Sequence, residues 1–112
     1  MISIAALALA LSTAHAKEPN GFRAGAAKVD ITPAKSGMMP GDTIRDSLNV
    51  RALVIGNGTT CAVLVGVDQG GIRDEAARDA ITRSAQASGC PTANIVVSAT
   101  HTHSGSNRTL LE

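Results

Sequence analysis

Aromatic side chains are nearly missing from this 112-residue chain: there is one phenylalanine, Phe22, and no tryptophan or tyrosine. A strong charge of either sign is missing too, since ten basic residues stand against nine acidic ones, a formal net charge of +1. With no rings for bases to stack on and no basic stripe, the chain offers nothing that favours nucleic-acid binding. Long hydrophobic runs are also absent. The longest, Ile2 to Leu11, falls short of the roughly 20 apolar residues that a spanning helix needs. No internal repeat is visible. What remains is Ala, Val, Ile and Leu, which predicts a thin, close-packed aliphatic core in one small domain near marginal stability.

The first sixteen residues read as a removable leader. An apolar stretch is followed by Ser12-Thr13 and then Ala14-His15-Ala16, a small-x-small triplet that places a signal-peptidase cut after Ala16. No Lys or Arg precedes the apolar stretch, and the alternative is an ordinary buried N-terminal element. On the leader reading residues 17–112 are exported, to the periplasm or the medium. The only cysteines, Cys61 and Cys90, then have two readings. In an oxidising compartment they can close a loop of about 30 residues, worth roughly 3–4 kcal/mol on the chain-entropy model. Otherwise they are two buried thiols. A metal role is disfavoured, because both precede their strands, at the edge opposite the histidines discussed below.

The rest of the chain divides by pattern. Residues 24–31 read as a short strand closed by Thr32-Pro33, since proline cannot continue a central ladder. Residues 34–49, rich in Gly, Pro, Ser and Asp, read as a long surface loop of the kind that is usually functional or mobile. Two β-branched runs, 49–55 and 60–67, flank Gly56-Asn57-Gly58-Thr59, and the Asn-Gly pair signals a hairpin. Asn57-Gly58-Thr59 and Asn107-Arg108-Thr109 also match the N-glycosylation pattern, although a hairpin turn accounts for the first more simply. Apolar Ile72, Ala76, Ala77, Ala80, Ile81 and Ala85 predict a helix over 72–88, supported by Asp74–Arg78 and Asp79–Arg83 pairs and ended by Gly89 with Pro91 beyond. A last strand runs over 94–99. The fold class is therefore α/β: a small mixed sheet with a β-hairpin and one right-handed βαβ unit.

Chemistry concentrates where the parallel strands end. In α/β sheets ligands bind outside the carboxyl ends of the strands, and there the chain carries Asp68 after one strand and His101-Thr102-His103-Ser104-Gly105 after the other. Extended backbone alternates with period 2, so two histidines two apart at a strand exit are expected to point the same way. Imidazole is the commonest metal-ligand side chain, and the pattern invites zinc. Asp68 could hold a metal or orient a histidine through its second ring nitrogen, or simply mark a helix entry. A catalytic zinc wants three or more protein ligands and a water. Asp68 and Asp74 are the only further candidates nearby, and they do not close such a site. Ser104-Gly105-Ser106 could alternatively cradle an anion. A nucleophilic role for Ser104 lacks the Gly-x-Ser-x-Gly elbow.

Three stretches resemble the neutral/alkaline (non-lysosomal) ceramidase family of secreted zinc amidases. They are Gly25 to Pro33, the strand Arg51-Ala52-Leu53-Val54-Ile55 with its successor ending Val67-Asp68, and Ser98-Ala99-Thr100-His101-Thr102-His103-Ser104-Gly105. The resemblance implies zinc-dependent hydrolysis of the N-acyl amide bond of ceramide-like lipids, with contact to the membranes that hold them. It implies that His101 ligates Zn2+ and that His103 assists the tetrahedral transition state. The family's other ligands (a second His, a Glu and a Tyr) and its catalytic arginine fall beyond Glu112. On that resemblance, residues 17–112 are the N-terminal part of a catalytic domain, inactive alone. The chain departs from the family in having Ser106 where proline is usual, and Met39-Pro40-Gly41-Asp42 where the first loop usually ends Gly-Tyr. The readings from other classes are an exported non-catalytic binding module and a metallohydrolase with another substrate.

Overall fold

A computed structural model describes residues 21–105. The expected leader, Ser106 and the Asn107 glycosylation pattern lie outside the described residues. Four strands and one long helix follow in order: β1 (Arg23–Asp30), β2 (Asn49–Gly56), β3 (Cys61–Val67), α1 (Asp74–Ser88) and β4 (Ile95–Ala99). Short 3-10 turns occupy Lys35–Gly37, inside the expected loop, and Thr92–Asn94, where the last strand was expected to begin. The strands form one mixed sheet of order β1-β2-β3-β4. The first three are antiparallel neighbours, and β3 and β4 are parallel. This is the small mixed α/β architecture the pattern predicts. The residue pattern left the place of β1 open. It pairs with β2 along its whole length, from Arg23↔Gly56 to Asp30↔Asn49.

Local chemistry explains the connections. At the hairpin, Gly58 takes φ 91°, and the Asn57 side-chain oxygen accepts from the backbone N–H of Thr59 (3.1 Å) and Thr60 (2.9 Å) and from the Thr59 hydroxyl (2.9 Å). An asparagine that caps its own turn in this way needs no other role to explain it. The helix ends as expected: Gly89 sits at φ 73° and donates to the Ala85 carbonyl at 2.8 Å. Its start is two residues later than the apolar spacing suggests. Arg73 is the extended N-cap, and Ile72 packs on the core from outside the helix. The expected Asp79–Arg83 pair forms at 2.8 Å; an Asp74–Arg78 pair is not among the ion pairs of the described residues.

The core lies between α1 and one face of the sheet. Val63, Val65 and Val67 alternate inward along β3 and meet Ile95, Val97, Ile72, Ile81 and Ala85. On the other face Leu53, Leu64 and Val96 stand side by side in register and remain exposed. Cys61, the first residue of β3, and Cys90, just past α1, form a disulfide that ties the helix exit to the sheet. The thiol alternative is thereby set aside. Among the described residues no helix is long and apolar enough to cross a membrane.

Candidate functional site

The carboxyl ends of β3 and β4 share one edge, and the polar residues foreseen there all sit on it. At that edge the Val67 carbonyl is a junction. It accepts from Gln69 N–H (2.8 Å), which turns the chain after β3, and from Thr100 N–H (2.9 Å), which fixes the exit of β4. The two exits therefore stay together: a Cβ placed on Gly70 would lie 3.5 Å from the Thr102 carbonyl oxygen.

His101 and His103 do meet, with ring centroids 4.8 Å apart and planes 85° to one another. They meet by a different route from the one expected. The strand ends at Ala99, and His101 takes φ 58°, so the rings converge through a left-handed residue and not through extended alternation. Histidine is among the few non-glycine residues that tolerate this region, at a cost of order 1 kcal/mol. Both histidines are exposed. The ring of His101 is anchored by Nδ1, which lies 2.6 Å from the Gly70 carbonyl oxygen. A carbonyl only accepts, so Nδ1 carries the proton, and in the neutral ring Nε2 keeps its lone pair. That is how a backbone carbonyl fixes the tautomer of a metal-binding imidazole.

Asp68 is engaged by β2. Its Oδ2 accepts from Arg51 Nη1 at 2.7 Å and from the Asn49 backbone N–H at 2.9 Å, and its own N–H donates to the Asn49 carbonyl at 2.9 Å. The hydrogen bond from Arg51 is the main reason its carboxyl sits below the usual carboxylate range, against the opposing cost of partial burial. Asp68 thus braces the end of β3 against β2. It is not a helix entry, because α1 begins at Asp74, whose carboxylate belongs with Glu75 to the first turn. Among the described residues no group of three or more His, Cys, Asp or Glu side chains is placed to hold a metal ion.

Gly105 has a steric reason to be glycine. A Cβ there would come within 3.2 Å of Thr102 Cγ2 and 3.9 Å of Leu48 Cδ1. The Ser104 N–H is taken by Thr102 Oγ1 at 3.3 Å, which removes it as a free donor for an anion. Beside this loop opens a cleft of about 710 Å³ between Thr102, Ser104 and Gly105 on one side and the 32–48 segment on the other, with Met38, Met39, Ile44 and Leu48 among its walls. Its size lies within the range of small-molecule sites.

Three participants escaped the sequence reading. The Gly70 carbonyl has no side chain to announce it. Arg51 lies within the β2 strand pattern, where an arginine inside a β-branched run is a signal of a charge partner. The buried Asn49 holds the end of the loop through Nδ2 to the Ser47 carbonyl at 3.0 Å. Neither the protein-family models nor the curated proteins contain a match to this chain.

Proposed function

We propose that this chain is the exported N-terminal part of a ceramidase-like zinc amidohydrolase domain, in which His101 is a zinc ligand through Nε2 and His103 is the catalytic assistant. The observation that carries the reading is the 2.6 Å contact of His101 Nδ1 with the Gly70 carbonyl, which favours a free lone pair on Nε2 in a ring at the sheet's carboxyl edge. The leader pattern and the Cys61–Cys90 bridge favour export.

The donor chemistry of the described residues fits zinc in kind, though not in number. His101 supplies one oriented imidazole, and a catalytic site requires at least two protein donors more, from outside residues 21–105. Bound zinc supplies a water acidified to about pKa 7 and a polarised amide carbonyl. The chain's own contribution is positional. His101 arrives with its tautomer set. His103, edge-on to it, would donate a hydrogen bond or a proton to a substrate held at that ring. The neighbouring cleft, apolar at Met38, Ile44 and Leu48, suits the acyl portion of a ceramide-like lipid, and an open cleft of this kind suits contact with a membrane surface.

The test uses the protein from its full reading frame, assayed on a fluorescent N-acyl sphingosine with metal content measured in parallel. His101→Ala should lose bound zinc. His103→Ala should keep zinc and lose about 10²–10⁴-fold in turnover. Zinc retained without His101, or lost equally in both variants, overturns the assignment. A metal-loaded protein that cleaves other N-acyl amides but not this one keeps the metallohydrolase and discards ceramide.

A further inference from the structure

The Gly70 carbonyl that holds His101 belongs to a stretch with no fixing device of its own. Gly70 and Gly71 are adjacent glycines with no side chains to pack, and glycine is the residue with most backbone freedom to lose. The direction of that carbonyl is therefore set by its flanks: downstream Ile72 packs on the core, and upstream the chain is held at the end of β3. Upstream stands Asp68, tied to β2 at three points: N–H to the Asn49 carbonyl (2.9 Å), Oδ2 to the Asn49 N–H (2.9 Å) and Oδ2 to Arg51 Nη1 (2.7 Å). In effect the β2–β3 ladder runs one residue further, with a carboxylate as its last rung. Between Asp68 and Gly70, Gln69 is 6% exposed and turns back onto the Val67 carbonyl, so little slack remains.

We infer that the Arg51–Asp68 pair is a positioning device for His101. By bracing the Asp68–Gly71 turn against β2 it keeps the Gly70 carbonyl on Nδ1 and so keeps Nε2 as the unprotonated nitrogen. Arg51 and Asp68 are positioning residues and touch no substrate. The inference rests on the reading of His101 as a metal donor, but its test needs no metal, so the two fail separately. A surface ion pair ordinarily contributes little. This one differs because the carboxylate side chain is only 16% exposed and its second bond is to backbone.

The experiment is long-range ¹H–¹⁵N correlation on the metal-free chain at a pH where the imidazoles are neutral, with His101 assigned by comparison with His101→Gln. The wild type should show His101 chiefly as the Nδ1–H tautomer. Asp68→Ala and Arg51→Met should each move the tautomer ratio toward Nε2–H by roughly tenfold, the scale of one net hydrogen bond. Arg51→Lys should restore part of the shift. Asp79→Ala, which breaks the exposed pair on α1, should leave the ratio unchanged. A wild-type ratio in both Asp68→Ala and Arg51→Met overturns the inference. So does loss of the β2–β3 amide pattern in both, which would assign the pair to folding alone.

Discussion

Removing the Cys61–Cys90 bridge is the sharpest perturbation this fold offers. The two cysteines are 29 residues apart in sequence, and the loop they close contains β3, the Asp68–Gly71 turn and all of α1. A loop of that length costs the unfolded chain about 3–4 kcal/mol of closure entropy when cross-linked, so Cys61→Ala/Cys90→Ala should lose about that much stability. For a domain of this size such a loss lowers the midpoint by roughly 15–25 °C. Urea unfolding followed by circular dichroism gives a second signature. An unfolded chain released from its cross-link exposes more surface, so the denaturant slope should rise in the variant. If the bridge worked only by packing, the midpoint would fall with no change of slope. Reduced wild type should behave as the double variant does. A double variant within about 1 kcal/mol of the oxidised wild type would refute the loop-closure reasoning, because that model allows no loop of this length so small an effect.

Acid should weaken the site end of the sheet with a definite sign. The Asp68 carboxyl is held below its unfolded value by Arg51, so its contribution is complete above about pH 4 and fades as the pH falls through the lower folded value. Urea titrations should therefore show a loss of stability as the pH falls below about 4 that Asp68→Asn flattens; an unchanged curve in that variant would place the acid-sensitive group elsewhere. Glycine substitutions should split by conformation. Gly89→Ala, at φ 73° with open space around its Cβ, should cost about 1–2 kcal/mol. Gly66→Ala, equally unobstructed within β3, should be neutral or stabilising by about 0.5–1 kcal/mol in thermal melts. Truncations should split by face. Val63→Ala, 3% exposed, should cost about 2 kcal/mol, whereas Leu64→Ala, 44% exposed, should cost well under half of that.

Legibility in the sequence followed the range of the interactions. β2, β3, β4 and the hairpin between the first two were readable, because β-branched runs around Asn57-Gly58 encode both strand and turn locally. The helix stop was readable for the same reason: Gly89 is the one residue there suited to φ 73°. The helix start was misplaced because Ile72 obeys the apolar spacing, yet serves the core from the extended segment before α1. β1 could be recognised as a strand but not placed, since every residue of it is exposed and no alternation marks an inner face. At the site, the two histidines and their shared edge were visible in the spacing. Their mutual geometry was not, because it turns on the φ of His101, which no neighbouring residue type dictates. The partner of Asp68 was hidden for a simpler reason. Arg51 is 17 residues away and meets it only through the register of β2 against β3.

That register changes what counts as the structural unit of the site. A βαβ unit alone would bring the ends of β3 and β4 together, and the Val67 carbonyl would still join them. It would not fix the Gly70 carbonyl, because the groups that pin Asp68 are Asn49 and Arg51, both on β2. The antiparallel hairpin therefore acts on the histidine loop from two strands away, through hydrogen bonds that are mostly backbone to backbone or backbone to carboxylate. Backbone anchoring matters here because both imidazoles are exposed and gain little from packing. On the proposed reading of His101 as a zinc donor, a ring held by a carbonyl has already lost the rotamer freedom that metal binding would otherwise have to remove, so ordering by the fold would lower the entropic cost of ligation. On this argument the minimal piece that can present His101 in its donor tautomer begins at β2, not at β3.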